Sequence, residues 1–400
     1  MDTIEISQAE MAPRVARFAD QESQSALYAD AIGIPREAYE IMAAKTLYLM
    51  MAPESQGGPM AQKPSISGDP GASVIIARCP PGDKPLLHAH HYTVETFMCL
   101  TGRFRIRWGS QADQHIDLDP HDMIAVPPGV DRQFENIGDE EALLLVIITG
   151  AGDDEFADIS MPPDETSMIR ERFGQSVIDA YNKVGVAFRN PDSTIDGPPV
   201  PAPIEITQSE RASRIARIAD LEPLSASSGD SIGVPREARE LVAAKSLFLL
   251  MAPENQGGTM AHQPAITGPE NISVLVAECP PGDKPLLHAH HHTVENFMCL
   301  TGEFRIRWGD GGHEHIDLKP FDMISVPPAV DRQFENISDA DARLLVVITG
   351  SSRDDYNDIS MPPEVTELLR SRFGQEVIDA YGQRGVTFRG GRDGSDRIGV

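Results

Sequence analysis

Displaced by 200 residues, the chain aligns with itself nearly end to end, from Ile4-Glu5-Ile6 against Ile204-Glu205-Ile206 to Gly185-Val186 against Gly385-Val386. Between residues 79–109 and 279–309 only Tyr92/His292, Thr96/Asn296 and Arg103/Glu303 differ. Whatever one half folds into must suit the other, and two long copies are too few and too large for a solenoid of short repeats. The expected organisation is one domain over residues 1–190 and a second over 204–390. Residues 191–203, which include Pro198, Pro199 and Pro201, with Pro203 at their end, form an extended, semi-rigid linker. Residues 391–400 are expected to be a flexible tail.

Each half opens on a capping box, Ser7-x-x-Glu10 or Thr207-x-x-Glu210, and Met11, Val15 and Phe18 continue at helical spacing. A second helix is predicted from Pro35 or Pro235, since proline suits a helix start. Strand-like runs follow at 46–51, 73–77, 104–108, 123–126 and 143–149, separated by Pro, Gly and Asp turns. Two more helices are predicted towards the end of each copy, stopping near Gly174 and Gly185.

The composition agrees with a turn-rich β protein: 40% hydrophobic, 24% charged, 33 Gly and 32 Pro. A net charge of −27 repels phosphate backbones and anionic bilayers, so neither nucleic acid nor membrane is an expected partner. Met1-Asp-Thr-Ile-Glu5 carries no basic start or apolar run, and the expected location is cytoplasmic. The four cysteines are two repeat pairs, Cys79/Cys279 and Cys99/Cys299, without C-x-x-C spacing, and are expected as free thiols. Cys99 shares a strand face with Glu95 and is expected to be packed core.

His88 and His90 sit two apart in an apolar strand-like run, which points both imidazoles to one face. Glu95 follows a short polar turn, where a returning strand can bring its carboxylate beside them. Two imidazoles and a carboxylate with coordination positions left open form the facial triad used by non-haem Fe(II), and the same donors also suit Mn, Ni, Cu or Zn. The set recurs as His288, His290 and Glu295.

The whole spacing, G-x5-H-x-H-x4-E-x6-G from Gly82 to Gly102, resembles the first motif of the cupin superfamily. That resemblance implies a mainly β chain with two tandem double-sheet jelly-roll barrels, each carrying N-terminal and C-terminal helical extensions. The second cupin motif is matched by His121 through Pro127, Gly129, Arg132 and Asn136, and by Phe321 through Pro327, Ala329, Arg332 and Asn336. Three features depart from the family pattern. The leading glycine is His121 or Phe321, the second loop glycine is Ala329, and the ligand histidine is Arg132 or Arg332. Arginine stays protonated and has no lone pair for a metal. In one reading Arg132 lies at the mouth of a three-ligand site and anchors an anionic substrate. In a second it pairs with Glu95 and leaves a metal-free pocket. In a third, a one-residue register slip pairs it with Asp131 at the surface and turns Gln133 inward.

Lesser candidates have structural readings. Arg105 and Arg107 share a strand face and are expected outside the barrel, as are His91, His115, His291 and His315. Tyr48 and Phe248 are expected as core, and Tyr92/His292 is a position where the two pockets could differ.

The resemblance implies a metal-dependent bicupin oxidoreductase, a dioxygenase holding Fe(II) and acting with O2 on a small anionic organic substrate, with Arg132 and Arg332 in catalytic roles. The alternatives are a non-oxidative isomerase, decarboxylase or lyase, and a non-catalytic metabolite-binding bicupin. A homo-oligomer is compatible with any of these.

Overall fold

Ser7 and Glu10 form the expected reciprocal cap, yet the helix it opens, Gln8–Met11, lasts one turn. Pro13 has no N–H to continue the ladder; Ala12–Arg14 tighten into a 3-10 turn and Val15–Ala16 leaves as a strand. The helical spacing of Met11, Val15 and Phe18 is thus a correction to the sequence reading. In the second copy the helix Gln208–Ala212 also ends early, before a strand at Ile215–Ala216.

In this computed structural model, residues 2–25, 29–54, 56, 58, 64–68, 71–150, 156–224, 233–254, 256 and 263–390 are described; the expected tail, 391–400, lies outside them. Val15–Ala16 pairs with Met323–Ile324, and Ile215–Ala216 with Met123–Ile124. The chain accordingly divides into two compact units, Ala19–Asp220 and Met1–Phe18 with Leu221–Val400. The proline-rich stretch 191–203 is not where they part. Proline content reports stiffness, whereas the edge-strand pairing of the two arms sets which barrel each arm completes.

Within Ala19–Asp220 one sheet runs in the order Ile215–Ala216, Met123–Val126, Val94–Cys99, Ala142–Thr149, Ala72–Cys79, Thr46–Ala52, Ile66–Ser67. The other runs Ile195–Asp196, Ala187–Arg189, Ile159–Met161, His88–His90, Asp131–Asn136, Phe104–Trp108, Gln114–Leu118. Phe97, Phe104, Trp108 and Leu144 are buried in one core between them. The other unit repeats both orders, its second sheet having six described strands. This is the expected mainly β, double-sheet jelly-roll architecture. Strand alternation is visible at Phe104–Trp108: Phe104, Ile106 and Trp108 face the core, and Arg105 and Arg107 lie outside, paired with Asp117 and Glu135. The helical extensions are Arg36–Ala43, Pro163–Phe173 and Gln175–Asn182. Tyr39, Met42, Ile178 and Tyr181 bind them into a separate apolar cluster.

The loop after Pro127 closes on the ligand strand, with Gly129 N donating to His90 O at 2.6 Å. The closure needs a left-handed residue: Gly129 has φ 80° and its counterpart Ala329 φ 62°. The same conformation persists where the family glycine is replaced by His121 (φ 72°) and Phe321 (φ 69°). Phe321 recovers some of that cost by packing edge-on against Phe18, centroids 5.4 Å apart.

Left-handed backbone costs an L residue about 1–2 kcal/mol, and glycine loses about 0.4–1 kcal/mol through the unfolded chain. Ala329→Gly should therefore stabilise its unit by about 0.5–1 kcal/mol, raising its thermal transition by about 1–4 °C. Gly129→Ala should lower the other transition, since its Cβ would also meet Ile204 Cγ1 at 3.3 Å. Calorimetry of the two variants showing shifts of the same sign would contradict this account.

Candidate metal centre

The strand His88–His90 lies between two others, with Arg132 opposite His88 and Ile159 opposite His90. Both imidazoles thus enter the barrel from one sheet. Glu95 comes from the other sheet, paired with Val126 and Ile148, after the chain turns through His91–Thr93. Its Oε2 lies 3.6 Å from His88 Nε2 and 3.9 Å from His90 Nε2. In the second copy the distances are 3.8 and 3.9 Å. Each set of three donor atoms lies within 4.8 Å.

What holds the rings decides which nitrogen faces inward. His88 Nδ1 is 2.9 Å from Leu86 O, and His90 Nδ1 is 2.7 Å from Asp158 Oδ1. With Nδ1 donating, each Nε2 keeps its lone pair for the centre. Asp158 also accepts from Tyr92 N (2.9 Å), Thr93 N (2.8 Å) and Thr93 Oγ1 (2.8 Å). Burial alone would raise its carboxyl, but His90 and these donors hold it well below the usual carboxylate range. Asp358 repeats the arrangement, 2.8 Å from His290 Nδ1.

Burial would likewise raise Glu95, yet the imidazoles of His88 and His90 and the Arg132 guanidinium outweigh it and hold the carboxyl at about 2. Glu95 Oε2 and Glu295 Oε2 are buried without a hydrogen-bond partner. An unmet buried acceptor costs about 1–3 kcal/mol, more when charged, and a divalent cation would remove that cost. The donors therefore fit a divalent metal, held by His88, His90 and Glu95 or by His288, His290 and Glu295.

The first centre faces a cavity of about 90 Å³ whose walls include Leu47, Ile75, Phe134, Val146, Ile148 and Phe156, with Gln56, Tyr39 and Tyr181 as its other polar side chains. The second cavity, about 80 Å³, is lined by Val242, Leu247, Leu275, Phe334, Val346 and Ile348 among others. No Lys or Arg lines either one among the described residues.

The Cupin domain family matches residues 75–148 and 275–348, the segments that supply both ligand sets. The chain is a two-domain cupin. It is similar to quercetin 2,3-dioxygenase of Bacillus subtilis (strain 168), 26% identical over 228 residues, which are 53% of this chain and 62% of the relative. The match therefore spans less than two thirds of that relative's length. Among solved structures it is similar to oxalate decarboxylase of Bacillus subtilis at pH 4.6, with TM-score 0.45, 15% identity and coverage of 88% of this chain and 78% of that one. It is also similar to a formate complex of oxalate decarboxylase from Lactobacillus farciminis, with TM-score 0.48, 13% identity and coverage of 95% and 97%. No described helix of this bicupin is long and apolar enough to cross a membrane.

Arg132 is not at the mouth of the bicupin cavity. It is fully buried, with Nε 3.7 Å from Glu95 Oε2 and NH2 donating to Pro127 O at 2.9 Å. The strand register has not slipped, and Asp131 pairs with Arg189 instead. Arg332 is placed likewise, 3.9 Å from Glu295 Oε2. Arg132 is therefore placed against Glu95 and not among the residues that line the cavity, which differs from the expected position at its mouth. The described residues brought to each centre thus include all three expected ligands and the arginine, although the arginine sits in another role.

Other candidates also find places. His91 is buried, contrary to expectation, its Nε2 2.7 Å from Ser160 Oγ and its ring pushed down to about 4 by burial and by Arg189. His115 and His315 are exposed, and His291 is half-buried. Tyr92 and His292 are exposed and line neither cavity. The cavities differ instead at position 39, where Tyr39 lines the first and the second copy has Arg239. Tyr48 and Phe248 are buried off the cavities. Cys99 is core, its thiol pushed up to about 12 chiefly by burial. Asp158 escaped the sequence reading; its only signal was the recurrence of Asp-Ile-Ser-Met-Pro-Pro at 158 and 358.

Replacing His90 and His290 together by Ala should abolish tight binding of divalent metal, measured by elemental analysis after anaerobic reconstitution. Metal retained by that double variant would show the ligand set to be wrong. Asp158→Asn with Asp358→Asn should leave the fold intact and weaken metal affinity about 10–100-fold, the usual consequence of losing a ligand's orienting carboxylate. Chelator competition reads this directly.

Proposed function

We propose that this bicupin is a metal-dependent dioxygenase acting on a small organic substrate, with Fe(II) the first metal to test and Mn, Ni, Cu or Zn as the other fits. The observation that carries the reading is the placement of three donors in the wall of a mostly apolar cavity. When bound there, the metal supplies open coordination positions for a substrate oxygen and O2 and Lewis-acid stabilisation of negative charge.

The protein's part follows from the walls. Leu47, Ile75, Val146 and Ile148 favour an apolar substrate body and exclude water. Tyr39, Gln56 and Tyr181 are positioned to orient a polar group in the first cavity. Apart from Glu95, no described lining residue is a carboxylate, lysine or cysteine. With Glu95 committed to the metal, the described lining offers no free carboxylate, and chemistry that needs a separate acid and base is poorly served. The substrate is then anionic at the oxygen facing the metal and largely apolar elsewhere. Kinship with a quercetin dioxygenase supports the same choice.

Anaerobically reconstituted protein, screened against phenols, enols and small carboxylic acids in an oxygen electrode, should consume O2 in step with one of them. Turnover without oxygen uptake would replace this reading with a non-oxidative decarboxylase, isomerase or lyase. Ligand binding without any turnover would indicate a metabolite-binding bicupin.

A further inference from the structure

Arg132 and Arg332 occupy the position where the cupin pattern has a fourth imidazole, and both are fully buried. Their Nε atoms lie 3.7 and 3.9 Å from Glu95 Oε2 and Glu295 Oε2, the oxygens that also face the histidine pairs. Each NH2 is spent on a backbone carbonyl, Pro127 O at 2.9 Å or Pro327 O at 2.6 Å. Nε and NH1 have no hydrogen-bond partner in either copy. The other carboxylates nearby are engaged: Asp131 and Asp331 by Arg189 and Arg389, and Asp158 and Asp358 by His90 and His290. Each guanidinium therefore has the metal-binding glutamate as its counter-charge.

The formal charges have a consequence. Two neutral imidazoles, the metal-binding glutamate, the aspartate held by the second histidine and one guanidinium sum to a single negative charge, so a divalent ion would leave a buried cluster singly positive. A neutral histidine in place of the arginine would leave it neutral. Excess charge in a water-poor interior is costly, and an anion entering an open coordination position is what can reduce it.

We propose, resting on the metal-dependent reading above, that Arg132 and Arg332 are fixed internal cations that couple the two binding events. Each centre holds its divalent ion weakly alone and tightly together with a small anion. Selectivity for anions then acts through space, without a cation in the cavity wall. The arginines are positioning residues, since they act through Glu95 and the field at the centre.

Full-length protein with Co(II) as probe metal and azide as probe anion tests this by visible absorption and chelator competition. Arg132→Lys with Arg332→Lys keeps the charge, and Arg132→Gln with Arg332→Gln removes it. A charge within about 4–6 Å shifts an ionic equilibrium about 10–1000-fold. The Gln pair should therefore bind Co(II) at least about tenfold more tightly without azide, and Co(II)-bound azide at least about tenfold more weakly, with the Lys pair close to native. Equal behaviour of the Lys and Gln pairs would reduce the arginines to packing and overturn the proposal. Should the Gln pair fail to fold, the native protein still decides. Its Co(II) affinity should rise at least about tenfold at saturating azide, and an unchanged affinity overturns the coupling. Native protein that takes up no Co(II) would sink the metal-dependent reading itself, whereas uptake without anion coupling would sink only the role of the arginines.

Discussion

Each site depends on the backbone pairing of a three-residue strand. His88–His90 is held on one side by Asp131–Arg132 and on the other by Ile159–Ser160. That pairing faces both imidazoles inward, brings Arg132 beside His88 and sets Asp158 at the end of its strand, against His90. A one-residue slip would turn Ala89 inward and both histidines out. The pairing is protected from two directions. Gly129 N bonds to His90 O, and His91 N bonds to Asp158 O, so the loop before one neighbour and the turn before the other both close on the same strand.

Around this frame the interior carries more charge than an apolar core would tolerate. Burying an ion costs several kcal/mol unless it is paired and hydrogen-bonded. Asp158 meets that requirement with an imidazole, two backbone N–H groups and a hydroxyl. Asp131 meets it through one oxygen, with Arg189. Glu95 and Arg132 meet it only in part, at 3.7 Å from each other and with nitrogens and an oxygen left over. The same incomplete satisfaction is repeated at Glu295 and Arg332, and a further charged group between the histidines and the glutamate would relieve it.

The ligands were legible because their information is local. The two-residue spacing of His88 and His90 encodes a strand face, and only four residues separate His90 from Glu95. Positions of the strands and of the helices ending at Gly174 and Gly185 followed from the same short-range rules. Asp158 was not legible because it reaches His90 from 68 residues away, and no spacing rule links them. Arg132 was legible in identity but not in depth: the motif places it on the right strand, while only the register shows it against Glu95. The arms failed for a different reason. Met123–Val126 and Met323–Val326 are nearly the same edge, so the duplication that made the fold readable left two equivalent docking strands for each arm.

Duplication also bears on function, since identical ligand sets need not mean identical sites. On the strands that hold the metal donors the ligands, Arg132 and Arg332 and the buried apolar residues beside them are the same in both copies. The helices outside the barrel are less alike. Tyr39 sits on one of them and lines the first cavity, and the same helix position in the other copy is Arg239. Phe156 and Tyr356 differ likewise beyond the sheets. Chemistry common to both centres is therefore fixed by the shared ligand strands, and selectivity between them is written at wall positions that differ, Tyr39/Arg239 on the helix and Ile75/Leu275 on a strand.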